Sequence, residues 1–210
     1  MSSGRPLIIY IHGFNSSPAS EKAQQFSTFC RESDKFDIAV PELSHDPLTA
    51  ITQLEALFQE TDEKPFLLVG SSLGGYYATW LAEKYQCKAA LVNPAISPVK
   101  TLGEEFLGPQ KNLDSGLEYE FTRDHALYLD TLDINPLQYP ENYLLLVQTG
   151  DEVLDFRLAI ERYKDSTHIV QKGGNHRFEQ FESMFESMLE FAEFGALQPK
   201  TKAAIKQTIQ

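Results

Sequence analysis

The sequence predicts an α/β fold: a six-stranded, mostly parallel sheet with helices on both faces. Three observations point to it. Six short apolar runs recur along the 210 residues. Most are near-continuous and rich in Val, Ile and Leu, as strands buried on both faces are. Patterns with helical spacing separate them, so strand and helix alternate and the strands should run parallel.

The elements follow in order. Leu7–Ile11 is the first strand. Ala19–Glu32 then sets Ala23, Phe26 and Cys30 on one helical face. Ile38–Val40 is the second strand, and Pro47–Thr61 is a helix with Ile51, Leu54, Leu57 and Phe58 in register. Pro47 suits its first turn, where a backbone N–H would lack a partner anyway. Phe66–Val69 and Ala89–Val92 are the third and fourth strands, joined by a helix over Gly74–Tyr85. The rhythm then breaks. From Ser97 to Asn142 no strand is evident, and Gly103, Gly108, Pro109, Gly116, Pro136 and Pro140 interrupt the chain; one helix is expected at Arg123–Asp130. A connection this long exceeds a simple crossover, so residues from about 97 to 142 are read as a cap inserted over one end of the sheet. Tyr143–Gln148 and His168–Gln171 complete the strands, with helices at Phe156–Lys164 and Phe178–Phe194. A single domain is expected over residues 1–197, followed by a polar tail, 198–210, that is either a loosely docked helix or disordered.

The formal net charge is −12, which repels phosphate backbones and anionic membrane surfaces, so neither nucleic acid nor membrane is an expected partner. Two cysteines, Cys30 and Cys87, do not make a disulfide scaffold. No stretch approaches the ~18 apolar residues of a membrane helix, and the first residues lack a secretory apolar region. A cytoplasmic location is the resulting expectation. No metal-ligand cluster appears, and Gly70–Gly75 lacks the lysine of a phosphate-binding loop, so no metal or cofactor is expected.

The chemistry concentrates at the strand ends. Phe66–Val69 runs into Gly70-Ser71-Ser72-Leu73-Gly74 and then a helix. A Gly-x-Ser-x-Gly turn between strand and helix presents its serine on a strained bend, with helix N–H groups beside it. Ser72 is the candidate nucleophile; Ser71 competes but lacks the flanking glycines.

An active serine needs a base, and the base needs an orienting acid. His176 sits in the loop after the last strand, at the end of the sheet that carries Ser72. His45, after the second strand, is its rival, while His168 begins a strand and belongs at the opposite end. Three carboxylates follow the fifth strand in Gly150-Asp151-Glu152-Val153-Leu154-Asp155. Asp151 comes first and is favoured; Asp155 and Glu152 stay open, Asp155 having the look of a helix N-cap. Acyl transfer also needs two N–H donors for the tetrahedral oxygen. Leu73, just after Ser72, supplies one, and Phe14 in the His12–Pro18 loop is the best candidate for the other, unless that loop is a plain strand–helix turn. His12 is expected to hold the loop rather than to react.

These residues resemble a known family. His12-Gly13-Phe14-x-Ser16-Ser17-Pro18, Gly70–Tyr76, Asn93-Pro94-Ala95, Thr149–Glu152 and Gly174-Asn175-His176 look like the YqiA/YcfP-like bacterial esterases of the α/β-hydrolase superfamily, from about Leu7 to Phe194. The resemblance implies an α/β-hydrolase fold without the first two antiparallel strands of larger members, here with sheet order 2-1-3-4-5-6. It implies Ser72, Asp151 and His176 as triad, and hydrolysis of a small-molecule ester or acyl thioester through an acyl-serine. Asp151 directly after Gly150 departs from the spacing common in larger relatives. The same triad also serves amide and carbon–carbon bond hydrolysis, and a non-catalytic binding protein is the alternative from another class. Asn15, Tyr76 and Tyr77 are the candidate substrate contacts. Apolar residues of the cap, Phe106, Tyr119 and Phe121 among them, are read mainly as its own small core.

Overall fold

A computed structural model describes residues 4–59, 64–198 and 201. In chain order the strands are β1 (Leu7–Ile11), β2 (Asp37–Ala39), β3 (Leu67–Ser71), β4 (Ala89–Val92), β5 (Gly108–Lys111), β6 (Glu118–Phe121), β7 (Tyr143–Gln148) and β8 (Thr167–Gln171). Six of them form one sheet in the order β2-β1-β3-β4-β7-β8, every pair parallel, as the alternation of elements requires. The helices are α1 (Glu21–Ser33), α2 (Pro47–Gln59), α3 (Leu73–Tyr85), α4 (Pro98–Leu102), α5 (Arg123–Thr131), α6 (Phe156–Arg162) and α7 (Phe185–Phe194).

Successive side chains of a strand point to opposite faces, and this divides the interior in two. Ile9 and Ile11 of β1 join Leu68, Leu91 and Leu145 against α2, α3 and α5. Ile8 and Tyr10 join Val69, Leu144 and Phe26 against α1 and α7. Apolar burial on both faces explains why the strands read as continuous runs.

Three expectations change. The helix expected over Phe178–Phe194 starts only at Phe185, after a 3₁₀ turn at Phe181–Met184, because Phe178 and Gln180 have left-handed backbones (φ 64° and 56°) that no helix continues. The stretch expected to lack strands holds an antiparallel hairpin, β5–β6. Its strands are four residues long, alternate exposed with partly buried positions and contain Pro109, so they carry little strand signal. The last two residues of the helix expected over Pro47–Thr61 lie outside the described residues, as does all of the tail except Gln198 and Thr201.

The two ends of the β4–β7 connection are clamped together by one side chain. Arg162 of α6 donates to Asp133 (2.9 Å), to the Ile134 carbonyl (2.7 Å) and to Ser97 Oγ (2.9 Å), while Ser97 Oγ donates to Asp133 (2.6 Å). Every strand of the main sheet ends on the same edge, so the loops after β1, β3, β4, β7 and β8 converge there.

Candidate active site

Ser72 joins β3 to α3 with φ 55° and ψ −121°, a backbone conformation seldom adopted outside glycine. The bend is pinned from both sides. Ser72 N–H donates to the Val92 carbonyl (3.0 Å), and its own carbonyl accepts from Gly75 (2.9 Å) and Ala95 (3.0 Å). Gly74 is needed because α3 lies flush on β1: a Cβ there would overlap the carbonyl oxygens of Ile11 and His12. The rival Ser71 is buried and hydrogen-bonded to Tyr10.

The loop after β8 brings His176 to this bend. Ser72 Oγ–H donates to His176 Nε2 (3.1 Å), and His176 Nδ1–H donates to Asp151 (2.9 Å to Oδ2, 3.1 Å to Oδ1). The Asp151 side chain is 2% exposed and also accepts the N–H groups of Val153 (2.9 Å) and Leu154 (2.8 Å). Burial raises its carboxyl, but the bonds from His176 and these backbone N–H groups outweigh that and hold it below the ordinary carboxylate range. The competing residues have other partners. Glu152 accepts the His176 backbone N–H (3.0 Å), and Asp155 caps α6 by accepting from Arg157 N–H (3.0 Å). His45 stacks on Tyr119 with ring centroids 4.3 Å apart, and His168 bonds to the Tyr163 carbonyl.

Two residues to which the sequence assigned no role hold the His176 loop. Buried Asn93, just past β4 with φ 41°, donates through Nδ2 to the carbonyls of Asn175 (3.0 Å) and His176 (3.2 Å), and its Oδ1 accepts from Gln148 N–H (3.0 Å). Gln148, the last residue of β7, accepts from the N–H groups of Asn175 (3.1 Å) and Glu179 (2.9 Å). A polar amide at the carboxyl end of a buried strand is the signal that could have found both positions.

The loop after β1 covers the other side of Ser72. A Cβ on Gly13 would stand 3.1 Å from Ser72 Cβ and 3.2 Å from the Ser71 carbonyl oxygen, so a side chain there would have to push Ser72 aside by a few tenths of an ångström. Among the described residues nothing accepts from the N–H of Phe14 or of Leu73. His12 donates from Nδ1 to the Gly13 carbonyl (3.1 Å) and accepts at Nε2 from Leu43 N–H (3.2 Å); burial lowers its pKa, which favours the neutral ring this pairing needs.

A cleft of about 370 Å³ contains Ser72 and His176, with Phe14, Lys22, Asp114 and Arg177 on its walls. A second, of about 260 Å³, lies across the Phe14 loop and is lined by His45, Leu73, Tyr77 and Tyr119. Of the expected substrate contacts, Tyr77 borders this second cleft. Tyr76 borders neither: it is buried and donates its hydroxyl to the Leu129 carbonyl (2.9 Å). Asn15 touches both clefts, but its amide is already paired at both ends, with Tyr119 and Gln110. Phe106 and Phe121 are buried against the Phe14 ring, at 4.6 and 5.3 Å between centroids. Among the described residues no group of three or more His, Cys, Asp or Glu side chains is placed to hold a metal ion, and no helix is long and apolar enough to cross a membrane.

Residues 7–193 match an uncharacterised protein family, UPF0227. A UPF0227 protein of Pectobacterium carotovorum is 27% identical over 110 residues, which is 51% of this chain and 61% of the relative. The chain thus spans about three fifths of the length of the first curated relatives it matches. A UPF0227 protein of Vibrio parahaemolyticus is 23% identical over 188 residues, 88% of this chain and 98% of the relative. Among solved structures, mouse alpha/beta hydrolase domain-containing protein 10 superposes with a TM-score of 0.71 at 17% identity, over 90% of each chain.

Proposed function

The chain belongs to the UPF0227 family and has the α/β-hydrolase fold, and from that premise we propose that it is a serine hydrolase of carboxylic esters or acyl thioesters. The observation that carries the reading is the chain of contacts from Ser72 Oγ to His176 Nε2 (3.1 Å) and from His176 Nδ1 to Asp151 (2.9 Å). A serine hydroxyl is a weak nucleophile until a base can take its proton, and the base must hold the right tautomer to do so.

In this reaction Ser72 Oγ bonds to the acyl carbon while its proton passes to His176 Nε2. Asp151 stabilises the imidazolium, and the N–H groups of Phe14 and Leu73 receive the charge that develops on the carbonyl oxygen. Collapse of the tetrahedral intermediate breaks the bond to the alcohol or thiol, which leaves with the proton from His176. Water then attacks the acyl-serine, giving its proton to His176, and the acid and free Ser72 are released. The cleft of about 370 Å³ suits a small-molecule substrate.

A fluorophosphonate probe and a panel of p-nitrophenyl esters and acyl-CoAs of graded length test the proposal. The wild type should react with the probe, and Ser72→Ala should lose labelling and about 10⁴–10⁶ in kcat. Equal labelling of both proteins would overturn the assignment of Ser72. Labelling without turnover of any panel member would move the reaction to another bond type, an amide or a carbon–carbon bond.

A further inference from the structure

The N–H of Phe14 sits on a loop gripped by the hairpin β5–β6 and the turn that joins its strands. Six hydrogen bonds cross between the two. Asn15 Nδ2 donates to Gln110 (3.0 Å), and Tyr119 Oη donates to Asn15 Oδ1 (2.6 Å). The Leu113 N–H donates to the Asn15 carbonyl (2.8 Å), and Asn112 Nδ2 donates to the Ser16 carbonyl (2.8 Å). The hydroxyls of Ser16 (3.3 Å) and Ser17 (2.9 Å) both donate to Asp114. The Phe14 ring is packed against Phe106, Phe121 and Tyr119.

Asn15 lies at φ 56°, a left-handed backbone that asparagine tolerates better than most residues but that has no helix or sheet to stabilise it. Three of the six bonds converge on this residue, directly after the one whose N–H would meet the oxyanion. An oxyanion donor works only when it is already aimed at the developing charge, within a few tenths of an ångström. Of the hairpin, Phe121 is buried in the main interior and Tyr119 is partly buried against it. Its turn is exposed, with Leu113 at 80% and Leu117 at 59%, and Asp114 of the turn and Tyr119 of β6 bond to the Phe14 loop.

We propose that β5–β6 is a positioning element for the oxyanion loop, with Tyr119 and Asp114 as the positioning residues that hold the Phe14 N–H on target through Asn15, Ser16 and Ser17. The inference rests on the serine-hydrolase reading for its catalytic consequence, whereas the grip on the loop is measurable without any substrate.

Tyr119→Phe removes one hydroxyl and keeps the ring that stacks on His45 and packs on Phe14. Asp114→Ala removes the acceptor shared by the two serines, and Asp114→Asn keeps an acceptor there. Amide hydrogen exchange at residues 13–17 should quicken about tenfold or more in Tyr119→Phe and in Asp114→Ala, and return toward wild type in Asp114→Asn. On a short neutral p-nitrophenyl ester, kcat should fall about 10–100-fold in the first two variants while KM stays within about twofold, the signature of a contact realised in the transition state. Unchanged exchange in the loop would overturn the proposal. So would a raised KM at constant kcat, which would make these residues substrate contacts. A wild type that neither turns over esters nor reacts with a fluorophosphonate would sink the hydrolase reading, and the exchange measurement would still decide whether the hairpin holds the loop.

Discussion

Opposite walls of the Ser72 cleft are held by different parts of the molecule. On one wall, Ser72, Asp151 and His176 follow β3, β7 and β8, whose flanking residues Leu68, Leu145 and Ile169 are wholly or nearly buried. Asn93 and Gln148, at the ends of two central strands, fasten the His176 loop to the same sheet. On the other wall, the Phe14 loop leaves β1 and is fastened by side chains of a short hairpin with an exposed turn. In the proposed reaction, proton transfer needs the 3.1 Å and 2.9 Å contacts kept within narrow limits, and a close-packed sheet, with its low compressibility, can keep them so. The Phe14 wall, which would supply an oxyanion donor in that reaction, is held by hydrogen bonds near solvent, which open more readily. The two halves of the site should therefore fail independently.

The sharpest break comes on the sheet-held wall. Asp151→Asn keeps the shape but favours the wrong imidazole tautomer, and kcat should drop about 10³–10⁴-fold. Exchange in residues 13–17 should not change, since none of the six bonds to the hairpin involves Asp151. Asp155→Ala is the control: it should cost about 1 kcal/mol as a lost N-cap, read by thermal melting, with kcat within about twofold of wild type. A larger loss of kcat in Asp155→Ala than in Asp151→Asn would reverse the choice of acid. Asn93→Ala tests the support instead of the relay. It frees the carbonyls of Asn175 and His176, and a shift of His176 by a fraction of an ångström should lower kcat about 10–100-fold. An Asn93→Ala enzyme with full activity would mean that Gln148 and Glu152 suffice to hold the loop.

The same division explains what the sequence made legible. Buried strands announce themselves as runs such as Leu7–Ile11 and Tyr143–Gln148, which the structure reproduces residue for residue. Chain order then places Ser72, Asp151 and His176 on one edge of the sheet before any coordinate is known. The hairpin was not legible, because Gly108–Lys111 and Glu118–Phe121 have no apolar face long enough to show a period of two. Asn15 shows the limit of reading residue types: a polar residue in the loop beside Ser72 suggests substrate, whereas here its amide pairs with Tyr119 and Gln110 about a hundred positions away. Likewise Tyr76, four residues after Ser72, does not face the cleft: α3 is buried on nearly all sides, and the Tyr76 hydroxyl bonds to the Leu129 carbonyl.

The smallest expected effect separates the two walls by pH. The Asp151 carboxyl is held below its ordinary value of 3.8 by His176 and by the N–H groups of Val153 and Leu154, against the opposing pull of burial. A group whose folded pKa is depressed contributes stability above its unfolded pKa, and that contribution is lost as pH falls through the folded value. Acid unfolding of the wild type should therefore include a component below about pH 4 that is missing from Asp151→Asn, visible as a flatter stability curve in urea melts taken between pH 5 and pH 2. Tyr119→Phe removes no carboxylate, and it should keep the wild-type acid slope even where its loop exchange has quickened. If instead Tyr119→Phe flattens the slope as Asp151→Asn does, the two walls are coupled, and the division between a sheet-held relay and a hairpin-held donor would have to be given up.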